Sequence, residues 1–164
     1  MDLTSIPVDW LSEHPLLWVA VITCIPWIEL RGSIPVGILK LGLDPLQVLV
    51  SSVMVNIAVI YPAFIFLDWF FELMKKTPLK RFIERTQSKA QPYVERYGML
   101  GLAFFVAVPL PGTGAYSGSL AAHIFGMKNR RAFLAISAGI AFAGLAVTLM
   151  STVFKTTFGW ILGL

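Results

Sequence analysis

Charge is scarce in this sequence: Asp, Glu, Lys and Arg make up 13% of its 164 residues, roughly half the share found in a soluble globular domain. With 57% hydrophobic residues and a mean hydropathy of +0.76, that scarcity excludes a soluble globular enzyme and predicts a membrane protein without enzymatic activity. Cysteine is scarcer still. A single Cys24 excludes an intrachain disulfide and any multi-cysteine metal or iron-sulfur site, and leaves the redox compartment unread. Metal-ligand spacing, a phosphate-cradling Walker loop and a nucleophile with a base at motif spacing are all missing, so no metal and no cofactor is expected. The first fifteen residues, MDLTSIPVDWLSEHP, hold Asp2, Asp9 and Glu13 but no Lys or Arg. Without the basic n-region of a cleaved signal peptide, this segment is expected to stay on the protein. The net charge of +4 would suggest nucleic acid in a soluble chain; here it marks cytoplasmic loops, and no nucleic-acid partner is expected.

Because a charge at mid-bilayer is costly, the uncharged runs measure the spans. Pro45 to Leu67, bounded by Asp44 and Asp68, and Ala132 to Phe154, bounded by Arg131 and Lys155, each count 23 residues. At about 1.5 Å rise per residue, each fits one transmembrane helix. Two further regions do not. Tyr97 to Met127 lacks Asp, Glu, Lys and Arg for 31 residues, but its middle reads PLPGTGAYSG, with Pro109, Pro111, Gly112, Gly114 and Gly118 where a helix needs continuous backbone bonds. Pro15 to Ile28 is uncharged and contains Pro26; Glu29, Leu30 and Arg31 interrupt; Gly32 to Leu39 is uncharged again and contains Pro35. Each region reads as two short arms around a Pro/Gly break, the pattern of a re-entrant helical hairpin, against the alternative of a kinked full-length helix.

The halves share an order: short arm, break, short arm, tight turn, long helix. Displaced by about 84 positions, LGLDPLQVLVSS falls on FGMKNRRAFLAIS, aligning Gly42 with Gly126 and Leu49 with Phe133, and Pro26 falls near Pro109. The expected fold is an all-α polytopic membrane protein of two inverted repeats. The first repeat covers 1–71, with a re-entrant hairpin over about 15–41 and a transmembrane helix over about 45–68. A linker over 72–96 follows, and its apolar residues recur at helical spacing after Thr77 and Pro78, predicting an amphipathic cytoplasmic helix. The second repeat covers 97–164, with a hairpin over about 97–127 and a helix over about 132–154. In this arrangement ten Lys and Arg residues fall on the linker side and two, Lys40 and Lys155, on the other. That bias puts the linker in the cytoplasm and the termini outside the cytoplasmic membrane of a prokaryote.

Glu29 and Arg31, in IPWIELRGSIPVG, are opposite charges far from any loop, and intramembrane charges usually pair and mark a substrate or proton path. A neutral pair pinning a hairpin tip is the plainer alternative. Gly32 and Ser33 beside them, and Thr113, Tyr116, Ser117 and Ser119 near the start of the arm that follows the second break, put backbone N–H groups and hydroxyls where a half-helix N-terminus faces an anion, so these eight residues are the expected substrate site. Glu29 and His123 are the candidate proton sites. Asn56 is placed to bond to a hairpin tip or a neighbouring helix.

The pairing of IELRGSIPVGI with PLPGTGAYSGSLAA resembles the small multidrug export protein family of prokaryotic membrane proteins, over nearly the whole chain. That family looks distantly related to the DedA superfamily, whose members have two inverted re-entrant hairpins with acidic and Arg residues at the tips and are implicated in flipping polyprenyl phosphates and phospholipids. The resemblance makes Glu29 and Arg31 the charged tip and Pro111 to Gly118 the second tip, which here bears no charge. Together these readings predict a transporter, a flippase for an anionic lipid or lipid-linked phosphate, with membrane lipid as partner and a homodimer as its assembly. The alternative is proton-coupled small multidrug efflux of lipophilic compounds.

Overall fold

The computed structural model describes residues 14–74, 97–110, 112–127 and 130–162, and every regular element among them is helical. The short helix α1, Pro15–Cys24, has Pro at its start, where a missing N–H is harmless, and ends at extended Ile25. After a four-residue turn comes α2, Glu29–Pro35, which continues as one π-helical stretch, Val36–Lys40. The long α3, Pro45–Met74, is capped by Asp44, whose Oδ1 accepts from the N–H groups of Leu46 and Gln47 at 3.0 Å;. The second half contains α4, Tyr97–Ala107, α5, Ala115–Ile124, and α6, Arg130–Leu162. Residues 1–13, Pro111 and nearly all of the expected linker, 75–96, lie outside the described residues.

The first short pair folds back on itself. Thr23 Oγ1 donates to Ser33 Oγ at 2.6 Å, and a Cβ added to Gly37 would stand 3.0 Å from Val19. In a kinked continuous helix, residues 18 apart would lie more than 20 Å from each other at about 1.5 Å per residue. The second pair folds back likewise, with Val106 packed so closely on Gly118 that a Cβ there would meet it at 2.7 Å. Both pairs close in the same way. Gly42 and Gly126, aligned in the sequence, both have positive φ, 66° and 71°. The next N–H, from Leu43 or Met127, bonds back to a carbonyl of the preceding helix, as in helix ends closed by a left-handed glycine.

The long helices hold the two hairpins tip to tip. Along α3, Val48 packs on Gly37 of the first hairpin, Ser52 meets Ser33, and Asp68 reaches His123 of the second hairpin at 3.1 Å. Along α6 the order reverses: a Cβ on Gly139 would meet Ala103 and Val106, one on Gly144 would meet Val53 and Ile34, and Lys155 donates to the Ile38 carbonyl at 3.0 Å. So α3 and α6 run antiparallel. Small residues at these crossings let helices approach where lipid offers no hydrophobic driving force.

Three expectations are corrected. Pro35 breaks no hairpin; it sits inside the second arm, where its missing N–H and its ring shift the following turn to π spacing;. Gly118 also lies within a helix, α5, where its role is clearance for Val106. The long helices outrun the expected spans 45–68 and 132–154, because Asp68, Glu72, Arg131 and Lys155 end the apolar stretch without ending the helix. Pro45–Leu73 and Arg130–Phe158 are long and apolar enough to cross a membrane. Their outer faces expose Tyr61, Trp69, Phe142 and Met150 at more than 60%, which suits hydrocarbon and not water.

Candidate functional site

The site is the junction of the two tips. The turn Ile25–Ile28 reverses the chain in so few residues that Trp27 and Glu29 take left-handed φ, 77° and 49°, a conformation costing about 1–3 kcal/mol in a side-chain-bearing residue. That geometry starts α2 at Glu29 and sends its carboxylate out of its own hairpin into the other. Glu29 Oε2 accepts from Ala115 N and Oε1 from Tyr116 N, both at 3.2 Å. These are orphan donors of the first turn of α5, where the helix dipole is positive. Gly114, the preceding residue, makes room: a Cβ there would overlap the carboxylate.

Arg31, two residues further along α2, does the converse. Its Nη1 donates to Glu29 Oε2 at 3.2 Å. Its Nη2 lies within hydrogen-bond distance of the carbonyls of Val106, Val108 and Thr113, at 2.9, 3.2 and 3.1 Å, and of Thr113 Oγ1 at 3.0 Å. Val106 and Val108 belong to the carbonyl end of α4, where the dipole is negative. One ion pair thus caps the facing ends of both half-helices of the second hairpin, the acid at the N-terminus and the base at the C-terminus. This explains how a second tip without charge is satisfied: its charges come from the first. The anion at the N-terminus of α5 is the chain's own Glu29, where a substrate phosphate or carboxylate was expected.

The other predicted residues divide. Gly32 packs on Ile28. Ser33 is fully buried between Thr23 and Ser52, in a hydroxyl cluster beneath the hairpin. Thr113 Oγ1 closes the break by bonding to Val108 O at 2.7 Å. Ser119 is fully buried. Only Tyr116 and Ser117 join Glu29 in lining a cavity of about 650 Å³ beside the junction. Tyr116 also donates its hydroxyl to the Cys24 carbonyl at 2.6 Å, tying α5 to the end of α1. The remaining wall is apolar: Pro26, Trp27, Gly112 and Leu120 from the hairpins, and Val59, Pro62, Ala63, Phe66 and Leu67 from α3. Pro109 stands in the break, as expected. His123 is 1% exposed, its Nε2 is 3.1 Å from Asp68 Oδ1, and its ring lies 5.0 Å from that of Phe71.

Sequence reasoning missed the α3 wall, the role of Gly114 and the partnership of Asp68 with His123. Pro62 in mid-helix was a signal for the wall. The other two join residues more than fifty positions apart and left no local trace. Among the described residues no group of three His, Cys, Asp or Glu is placed to hold a metal ion.

A family model described as Putative small multi-drug export protein matches residues 29–146, well over half of the chain, from the first residue of α2 into α6. No curated protein matches the chain, and no solved structure does.

Proposed function

Since the chain belongs to the small multi-drug export family, we propose that it exports lipophilic cations across the cytoplasmic membrane of a prokaryote in exchange for protons. The observation that carries this reading is the cavity: about 650 Å³, apolar walls, and Glu29 as the charged side chain among its described lining residues. That volume suits a drug-sized molecule, and a carboxylate in an apolar setting selects a cation. An anionic lipid fits less well, because the guanidinium that would anchor its phosphate already spends its terminal nitrogens on backbone carbonyls and Glu29.

In this mechanism a proton and a substrate cation compete for Glu29. Protonation removes the charge that holds Arg31 and the N-terminus of α5 together, so the tips loosen and the cation leaves; deprotonation restores the lock. His123, three residues beyond Leu120 on α5 and paired with half-exposed Asp68, passes the proton to the linker side. The two hairpins form inverted re-entrant repeats, with termini outside and linker inside.

Reconstitution into liposomes under an imposed pH gradient tests the reading, with tetraphenylphosphonium, a labelled phospholipid and a labelled polyprenyl phosphate as separate substrates. We expect gradient-driven flux of the cation, lost in Glu29→Gln. Movement of either lipid without flux of the cation overturns the proposal in favour of lipid transport.

A further inference from the structure

Asn56 is fully buried on α3, and neither its Nδ2 nor its Oδ1 has a hydrogen-bond partner among the described residues. An unpartnered amide in an apolar interior is a standing cost that an apolar residue of the same size avoids. Its position along the helix is specific. Gly37 faces Val48 and Ser33 faces Ser52, so each step of four residues back along α2 is a step of four forward along α3. One further step brings Glu29 level with Asn56. On the same stripe of α3, the next two turns present Val59 and Ala63, which line the cavity. Asn56 therefore stands where the cavity wall ends and the ion-pair lock begins.

Two features of the lock point toward it. Arg31 Nε is buried and, like the amide, unpartnered among the described residues. The three bonds that hold Glu29 are each 3.2 Å, longer than the roughly 2.7–2.9 Å of a tight charge-assisted bond. The carboxylate is held by long bonds, level with an amide that is not yet used.

We propose that Asn56 is the second partner of the Glu29–Arg31 unit. When Glu29 is protonated and the tips part, Asn56 Nδ2 donates to the carbonyl oxygen of the Glu29 carboxyl and its Oδ1 accepts from Arg31 Nε. Both side chains then stay satisfied while the N-terminus of α5 is released and the cavity extends inward. Asparagine suits this role because it offers a donor and an acceptor without charge; an ionised aspartate would offer no donor, and leucine would offer neither bond. Asn56 is on this account a positioning residue for the export reading above, on which the proposal rests.

The test uses the full chain in nanodiscs and liposomes, wild type against Asn56→Leu and Asn56→Ser. It reads melting temperature, deuterium uptake at the Ala115 and Tyr116 amides that Glu29 caps, and KM and maximal rate for tetraphenylphosphonium. For Asn56→Leu we expect melting at or above wild type, since the unpartnered amide is gone. We also expect uptake slowed roughly a hundredfold and a maximal rate lowered roughly a hundredfold, the size of two hydrogen bonds missing from the open state, with KM little changed. Asn56→Ser, which keeps a donor and an acceptor, recovers part of both rates. A lower melting point with faster uptake identifies ordinary helix-to-helix glue and overturns the proposal; unchanged uptake overturns it too. Failure of the wild type to move the cation sinks the export reading alone, because uptake and melting still judge the partner exchange.

Discussion

Glu29 and Arg31 were expected to carry chemistry, and their neighbours show what that chemistry must work against. Each is held by the backbone of the opposite hairpin, so each is structural before it is functional. Arg31→Lys keeps the charge, but a single ammonium cannot reach Glu29 and the carbonyl end of α4 together. We therefore expect it to lower stability by about 2 kcal/mol, the scale of a lost charge-assisted hydrogen bond. Gly114→Ala should act on the same contact from the other side by expelling the carboxylate from the first turn of α5. Thermal melting of Gly114→Ala, Glu29→Ala and the double mutant checks this: because both remove one contact, the double should melt close to the worse single. Additive losses would mean that the carboxylate is not docked there.

The short helices were readable as pairs because Pro and Gly interrupt two apolar stretches, yet their ends were misplaced by several residues. Glu29 was assigned to the first break and in fact begins α2; PLPGTGAYSG was read as one break, but α5 already starts at Ala115. Proline and glycine report that a helix is disfavoured, not which residue first resumes it. Gly118 illustrates the difference: it looked like a breaker and is instead the position where α4 and α5 touch. A methyl group there meets Val106 Cγ2 at 2.7 Å, so Gly118→Ala should cost about 1–3 kcal/mol by overpacking. Val106→Ala in the same chain should recover much of that loss in a melting assay. No recovery would place the strain elsewhere.

Across the assembled chain, the contacts of α3 and α6 put one hairpin at each end of an antiparallel pair. The orientation prediction follows from the ten-to-two distribution of Lys and Arg;. In protein lacking Cys24, a cysteine at Ser88 should react with an impermeant thiol reagent only when the cytoplasmic face is exposed. Reaction from the external face of intact cells would invert the topology, and with it the direction of proton flow.

Composition and the spacing of charges were enough to establish a helical membrane protein with two long apolar helices, because the hydrocarbon core imposes a length and an expense on charge that any chain must respect locally. The motif around Glu29 and Arg31 likewise carried the family resemblance. Which groups those charges touch was decided only by tertiary structure. Their partners, Ala115, Tyr116, Val106 and Thr113, lie 75 or more positions away and contribute mostly backbone atoms, whose availability depends on where helices end and not on side-chain identity. The same holds for the cavity, whose apolar wall on α3 has the composition of any transmembrane helix until two hairpin tips are placed against it.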